Sequence, residues 1–263
     1  MEMRPYFETE LGKLYHGDCL EIMPHLKPVD LVLTDPPYGH NNNNNNDMIA
    51  NREAIFGGDQ KPKRVPESDY RPIANDGPEA NEIFRATLPL FARLLKPGCC
   101  CCCCCCGGGP DPQFARWSLW LDEHIPFKQM VVWDKGPMGM GHHYRRSYET
   151  VLVAQKKGAA CKWYDTTKRV ENIIRPSSGI APKIIPNKDQ HPTIKPVGLF
   201  LHFIALHTET SDIVLDPFLG SGTTAVACEK LNRRWIGIEI SEEYCEVAAK
   251  RIDAEARQLK LFR

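Results

Sequence analysis

Ile213-Val214-Leu215-Asp216-Pro217-Phe218-Leu219-Gly220-Ser221-Gly222-Thr223-Thr224 reads as a buried strand, a glycine-bearing turn and the start of a helix. Gly220 and Gly222 let the backbone come close to a ligand, and the helix that follows can present its amide groups to an anionic end of that ligand. A further apolar run, Trp235-Ile236-Gly237-Ile238-Glu239, ends in an acid. It follows at about the 20-residue spacing that brings a carboxylate to ribose hydroxyls in nucleotide-binding α/β units. Asp216 and Glu239 are therefore expected to bracket a nucleoside. A phosphate-binding loop needs Gly-Lys-Ser/Thr, whereas Gly222 is followed by Thr223 with no lysine. A dinucleotide loop wants a third glycine where Ala225 stands, although alanine is tolerated there. S-adenosylmethionine, which has no phosphate and carries a carboxylate tail, fits these requirements better.

Near the other end of the chain, Val29-Asp30-Leu31-Val32-Leu33-Thr34 runs into Asp35-Pro36-Pro37-Tyr38. An acidic acceptor, a rigid turn and an aromatic plane are what a site needs to grip a planar base that bears an amine. The amino nitrogen of adenine or cytosine is a poor nucleophile, because its lone pair is delocalised into the ring. If Asp35 and the carbonyl of Pro36 accept its two hydrogens, the nitrogen moves toward tetrahedral geometry and the pair is freed for attack. Pro37 stiffens the loop, and Tyr38 offers a π face to a base taken out of the duplex. Asp-Pro-Pro is also an ordinary strand-to-turn signal, so the tetrapeptide takes its meaning from the loop at 216–224. Together the two blocks point to methyl transfer to an exocyclic nitrogen.

With these blocks in this order, the chain resembles the class β DNA amino-methyltransferases, in which the catalytic block precedes the cofactor block. Further motifs of that family match in sequence order. They are Gly17-Asp18, Val131-Val132-Trp133-Asp134-Lys135 followed by Gly139 to Tyr144, and His191-Pro192-Thr193-Ile194-Lys195-Pro196. The resemblance covers nearly the whole chain. It implies catalytic roles for Asp35, Pro36, Pro37 and Tyr38. It implies cofactor contacts for Asp18, Asp35, His191, Thr193, Lys195, Asp216, Phe218, Gly220, Ser221, Gly222, Thr223 and Glu239. The implied fold is the S-adenosylmethionine-dependent methyltransferase α/β fold with circularly permuted motif order: a doubly wound, mostly parallel seven-stranded sheet with one antiparallel strand. Apolar runs alternate with helical stretches, which supports such a sheet independently. Strands are expected over 11–15, 30–34, 98–106, 128–133, 150–154, 212–215 and 235–239. Helices are expected over 78–95, 113–123, 197–206, 223–231 and 241–259.

The 263 residues fit one domain, 1–263. No apolar run is long enough to span a bilayer, and Met1-Glu2-Met3-Arg4 is no signal peptide, so a cytoplasmic protein without membrane contact is expected. Net charge is zero, yet residues 116–195 hold fourteen Lys and Arg against seven Asp and Glu. A basic face on a neutral protein can still contact phosphates, which makes double-stranded DNA the expected partner. The candidates are Arg145, Arg146, Lys168, Arg169 and Arg175, with Lys156, Lys157, Lys162, Lys183 and Lys188 beside them; taken singly a lysine reads as solvated surface, and it is the group that points to nucleic acid. Residues 156–190 are expected to be a short target-recognition insert, and 39–77 a flexible loop beside the catalytic turn. A homodimer and a cognate restriction endonuclease are further possible partners.

The asparagine run 41–46 reads as a polar linker. The cysteine run 99–106 follows Leu94-Leu95-Lys96-Pro97-Gly98, where a buried central strand is due, so its thiols are expected to pack as small hydrophobes. Successive strand residues face opposite sides, and neighbouring cysteines cannot share a tetrahedral metal site. The nine histidines show no ligand spacing, so no metal is expected. No cysteine follows a proline, whereas carbon-directed methyltransferases resemble one another in a Pro-Cys nucleophile. Direct displacement is preferred to covalent catalysis. Trp117 and Trp120, at helical spacing, are expected in the core. In the family, Asp at the first catalytic position goes with adenine N6 and Ser with cytosine N4, so Asp35 favours adenine. Cytosine N4, and a regulator that binds DNA without catalysis, stay open at this point.

Overall fold

The computed structural model describes residues 3–39, 74–77, 79–105, 113–136, 147–175 and 195–260. The expectations for His191, Thr193, Arg145, Arg146, the asparagine run and nearly all of the 39–77 loop lie outside those residues. One sheet holds nine strands among the described residues. They are β1 (Phe7–Glu8), β2 (Gly12–His16), β3 (Val29–Thr34), β4 (Leu95–Cys105), β5 (Phe127–Asp134), β6 (Tyr148–Gln155), β7 (Ile173–Ile174), β8 (Ile213–Asp216) and β9 (Arg234–Glu239). Their spatial order is β1-β2-β9-β8-β3-β4-β6-β5-β7. Six α-helices accompany them among the described residues: α1 (Cys19–Ile22), α2 (Ala80–Leu94), α3 (Gln113–His124), α4 (Val197–His207), α5 (Thr223–Leu231) and α6 (Glu242–Lys260).

Strands β2, β9, β8, β3 and β4 run parallel, β6 runs against both its neighbours, and β5 returns to the common direction. The seven expected strands with one reversed are therefore all present. The two-residue strands β1 and β7 extend the edges; pairs this short carry no periodicity that a sequence could display. From β3 the chain proceeds to β4 on one side, whereas β8 leads to β9 on the other. The β3/β8 junction, with Leu31 opposite Val214 and Val32 opposite Leu215, is thus the switch point at which open α/β sheets form a crevice.

Helices cover both faces, so central strands must be apolar on both sides, and every residue of β3 is buried. The cysteine run obeys the same rule. Cys100, Cys102 and Cys104 pack on one face with Leu31, Leu33, Phe200 and Phe203. Cys99, Cys101 and Cys103 pack on the other with Val32, Phe84, Phe91 and Trp117. Burial pushes the thiols of Cys101, Cys102 and Cys104 well above their usual range, which keeps them neutral and unreactive. Trp117 is fully buried and stacked on Phe84 at 4.0 Å, in the core as expected, and Trp120 is only partly buried. No helix among the described residues is long and apolar enough to cross a membrane.

Of the ten described free cysteines, Cys161 alone is exposed. A thiol reagent followed by peptide mapping should label Cys161 in the native protein and leave Cys99 to Cys104 unmodified until denaturant is added. Fast native labelling of the run would show that it is not a core strand.

Candidate active site

Strands β8 and β9 deliver the nucleoside side of the crevice. Glu239 ends β9 and is buried, its carboxylate held by backbone amides: Gly220 N donates to Oε2 at 2.8 Å and Ser241 N to Oε1 at 2.8 Å. Burial nevertheless pushes its carboxyl up. Gly222 precedes α5 with φ +86°, and a Cβ there would lie 3.1 Å from the Cβ of Ala248, so a side chain would be strained and would press on α6. Asp216 borders the cleft, but its oxygens point into the protein. Thr34 Oγ1 donates to Oδ1 at 2.7 Å, Phe218 N donates to Oδ1 at 3.1 Å, and Thr224 Oγ1 donates to Oδ2. Its carboxyl, desolvated against those bonds, is raised to about 6. Asp216 therefore fastens the loop to β3 and to α5. Asp18 caps α1 through Leu20 N at 2.8 Å and lines the cleft with Gly17.

Strand β3 delivers the other side. Asp35 follows it directly and shares the cleft with Pro36, Pro37, Tyr38, Phe218, Gly220, Ser221, Thr223 and Glu239. The turn is pinned from a distance in sequence, because the amides of Tyr38 and Gly39 both donate to Asp76 Oδ1 at 3.0 Å. Lys195, just before α4, points into the same space. Its Nζ lies 2.8 Å from Asp35 Oδ2, 3.1 Å from Asp35 Oδ1, 3.1 Å from Tyr38 Oη and 3.4 Å from Glu149 Oε2. The Tyr38 hydroxyl donates to Asp35 Oδ1. Burial pushes the Asp35 carboxyl up, and the Lys195 ammonium opposes that push. The same carboxylates hold Lys195 charged, well above the usual lysine range against its own burial.

The structure brings together all the expected cofactor and catalytic residues that it describes: Asp18, Asp35, Pro36, Pro37, Tyr38, Lys195, Asp216, Phe218, Gly220, Ser221, Thr223 and Glu239 line one cleft, and Gly222 begins the helix that opens on it. Asp76 and Glu149 were not anticipated. Lys195 is the only lysine or arginine among the described lining residues, and its charge is committed to carboxylates. A cleft with acids and no spare cation does not balance a phosphate. It suits ribose hydroxyls and a cationic sulfonium, so the residues fit S-adenosylmethionine.

A family model described as DNA methylase, for N6 and N4 methyltransferases, matches residues 29–250. The chain belongs to this family. Over 96% of its length it is 28% identical to the type II methyltransferase M2.DpnII of Streptococcus pneumoniae, covering 93% of that protein. It is 27% identical over 95% of its length to M2.MboI of Moraxella bovis, covering 92% of that protein. Among solved structures, the M1.HpyAVI complex with S-adenosylmethionine superposes with a TM-score of 0.63 at 27% identity, covering 92% of this chain and 100% of that one. The cytosine-N4-specific PvuII methyltransferase shares the fold, with a TM-score of 0.68 at 19% identity, covering 97% of this chain and 95% of that one. This DNA methylase is an amino-methyltransferase, and its cofactor is S-adenosylmethionine.

The expected basic face divides. Lys156 donates to the carbonyls of Ala92 and Leu95, each at 2.7 Å, and Lys162 pairs with Asp30 and Asp212, each at 2.9 Å. Both sit at the amino ends of the strands, across the sheet from the cleft, and their charges are spent inside the methylase. Lys168, Arg169 and Arg175 are exposed on the segment that climbs along β5, with Arg175 paired to Glu171.

The folded methylase holds the Asp216 proton to about pH 6, against 3.8 for the free side chain. Between those values the native state binds more protons than the unfolded one, so this group's contribution to stability falls as pH rises through the window. Asp216→Asn keeps an acceptor and cannot ionise. Urea denaturation should show the variant gaining on the parent by up to about 3 kcal/mol between pH 4 and pH 7. An unchanged difference across that range would show that the carboxyl is already ionised at pH 4.

Proposed function

We propose that the methylase transfers a methyl group to the exocyclic N6 of adenine in duplex DNA, acting on a base rotated out of the helix, by direct displacement. The observation that carries this reading is the position of Asp35. Its carboxylate stands in the same cleft as Glu239 and the Gly220 loop, so an acceptor for the amine and a seat for the methyl donor share one space. When bound, S-adenosylmethionine supplies a methyl group on a sulfonium and leaves with the electron pair of the broken carbon–sulfur bond. Asp35 and the Pro36 carbonyl accept the hydrogens of the amine and draw its nitrogen toward tetrahedral geometry; the nitrogen gains the methyl carbon and then releases one proton to solvent. Pro36 and Pro37 fix the direction of those acceptors, and the Asp76 anchor holds the turn, so the rate comes from positioning and electrostatics. Tyr38 walls the place where the base enters.

Adenine is preferred because a carboxylate, where a hydroxyl goes with cytosine in the family, fills the first catalytic position. Lys168, Arg169 and Arg175, with Arg145 and Arg146, supply the DNA contacts in this reading. Likeness to type II methyltransferases supports a place in restriction and modification, with a cognate endonuclease as partner. A homodimer belongs to the same proposal, and light scattering with and without DNA tests it.

Incubation with labelled S-adenosylmethionine and mixed-sequence duplex DNA, followed by nucleoside analysis, should yield N6-methyladenine. N4-methylcytosine would overturn the choice of base and keep the reaction class, and tight DNA binding without label transfer would make the protein a regulator. Asp35→Ala should abolish transfer while cofactor affinity stays within a few-fold. Loss of cofactor binding instead would assign Asp35 the wrong role.

A further inference from the structure

Asp35 has a difficulty to resolve before it can accept hydrogens from a base. Both its oxygens are occupied: Lys195 donates to Oδ1 and Oδ2, and Tyr38 donates to Oδ1. Yet the buried Glu149 Oε2, 3.4 Å from the same ammonium, accepts no hydrogen bond among the described residues. A buried carboxylate oxygen held only by a long ion-pair contact is costly, and such groups mark strain or function. The other oxygen of Glu149 is fixed, since Lys135 Nζ donates to Oε1 at 2.8 Å. Lys135 Nζ, Glu149, Lys195 and Asp35 thus form a chain of alternating charge from the β5 end to the catalytic turn.

We propose that Glu149, on β6, is a positioning residue for methyl transfer: it receives the Lys195 ammonium when the target amine arrives, and so clears the Asp35 carboxylate to accept the amine hydrogens. This rests on the reading of Asp35 given under Proposed function. The shift is small. Closing 3.4 Å to an ordinary charge-assisted bond moves Nζ by roughly 0.6 Å. Lys195 stays between two carboxylates throughout, so no buried charge loses its partner, and no proton or covalent bond changes place in the exchange. In the free enzyme the ammonium draws the Asp35 carboxyl down against the upward push of burial; in the engaged enzyme it is still close enough to do so.

The titratable groups facing Asp35 are Tyr38 on its own turn, Lys195 before α4, Glu149 on β6, Cys104 on β4 and Asp216 on β8. The Cys104 thiol is held neutral by burial. Lys195 lowers the Asp35 carboxyl and Glu149 raises it. Removing either partner therefore moves the acid limb of the rate in opposite directions.

The test is single-turnover methylation of duplex DNA with labelled S-adenosylmethionine, read as a function of pH. For Glu149→Gln the hand-over predicts a plateau rate lower by about a hundredfold, the order of loss that misplaced catalytic groups bring. Its acid limb should move to lower pH, with cofactor affinity within threefold of the parent. For Lys195→Met the limb should move to higher pH. In the Lys195→Met background, adding Glu149→Gln should cost nothing further, because its receiver function has lost its cargo. Should Glu149→Gln fold poorly, Glu149→Asp, one methylene shorter, must show a smaller loss of the same kind. A Glu149→Gln rate within twofold of the parent, or an equal loss with and without Lys195, overturns the hand-over alone. A parent protein that labels no DNA overturns the underlying reading of Asp35 as well.

Discussion

Thr34, the last residue of β3, donates a 2.7 Å hydrogen bond to Asp216, the last residue of β8, across 182 positions of sequence. That bond, with the pairing of Leu31 to Val214 and Val32 to Leu215 beneath it, holds the Asp35–Tyr38 turn against the 216–224 loop. Everything in the cleft depends on this junction. Two parallel strands joined side by side must release their chains at the same end, so Asp35 and Pro217 emerge together whatever the order of the blocks in sequence. Permuting the motifs changes which loops are covalently continuous. It leaves the crevice where it is.

The junction also sets the electrostatics. Asp35, Asp216 and Glu239 gather at the carboxyl ends of central strands, where helices on both faces exclude water and burial pushes all three carboxyls up. Each is managed differently. Asp216 is satisfied by hydroxyls and an amide, Glu239 by two backbone amides, and Asp35 by an ammonium and a phenol. Partners built into the backbone cannot leave, whereas an ammonium on a long side chain can. In the proposed hand-over, the carboxylate with the movable partner is the one that changes partners.

Much of the fold was legible because its strands are buried on both faces and read as unbroken apolar runs, even where the apolar residue is cysteine. The glycines of the 216–224 loop and the acid ending β9 were legible for the same reason, since both follow directly from a strand that could be recognised. The edge strands β1 and β7 were not, because two residues have no period. Lys156 and Lys162 misled by their charge: composition counts a lysine as surface charge and cannot show that its ammonium reaches back to Leu95 or to Asp30. Asp76 sits in a stretch without periodicity, and what it anchors is 38 residues earlier in the chain.

Glu149 was overlooked for a more specific reason. Functional residues of a parallel sheet are sought just after each strand, where Asp35, Asp216 and Glu239 lie at or beyond the last residue. Strand β6 runs the other way, so its beginning shares the cleft end with its neighbours' conclusions. An acid as the second residue of β6, ahead of the buried Thr150-Val151-Leu152-Val153-Ala154, is for this reversed strand an end position at the same edge of the sheet as Asp35. Once one strand of a doubly wound sheet is known to be reversed, its opening residues become site candidates on the same physical ground as the closing residues of the rest. The reversal is what allows a second carboxylate to reach the Lys195 ammonium beside Asp35.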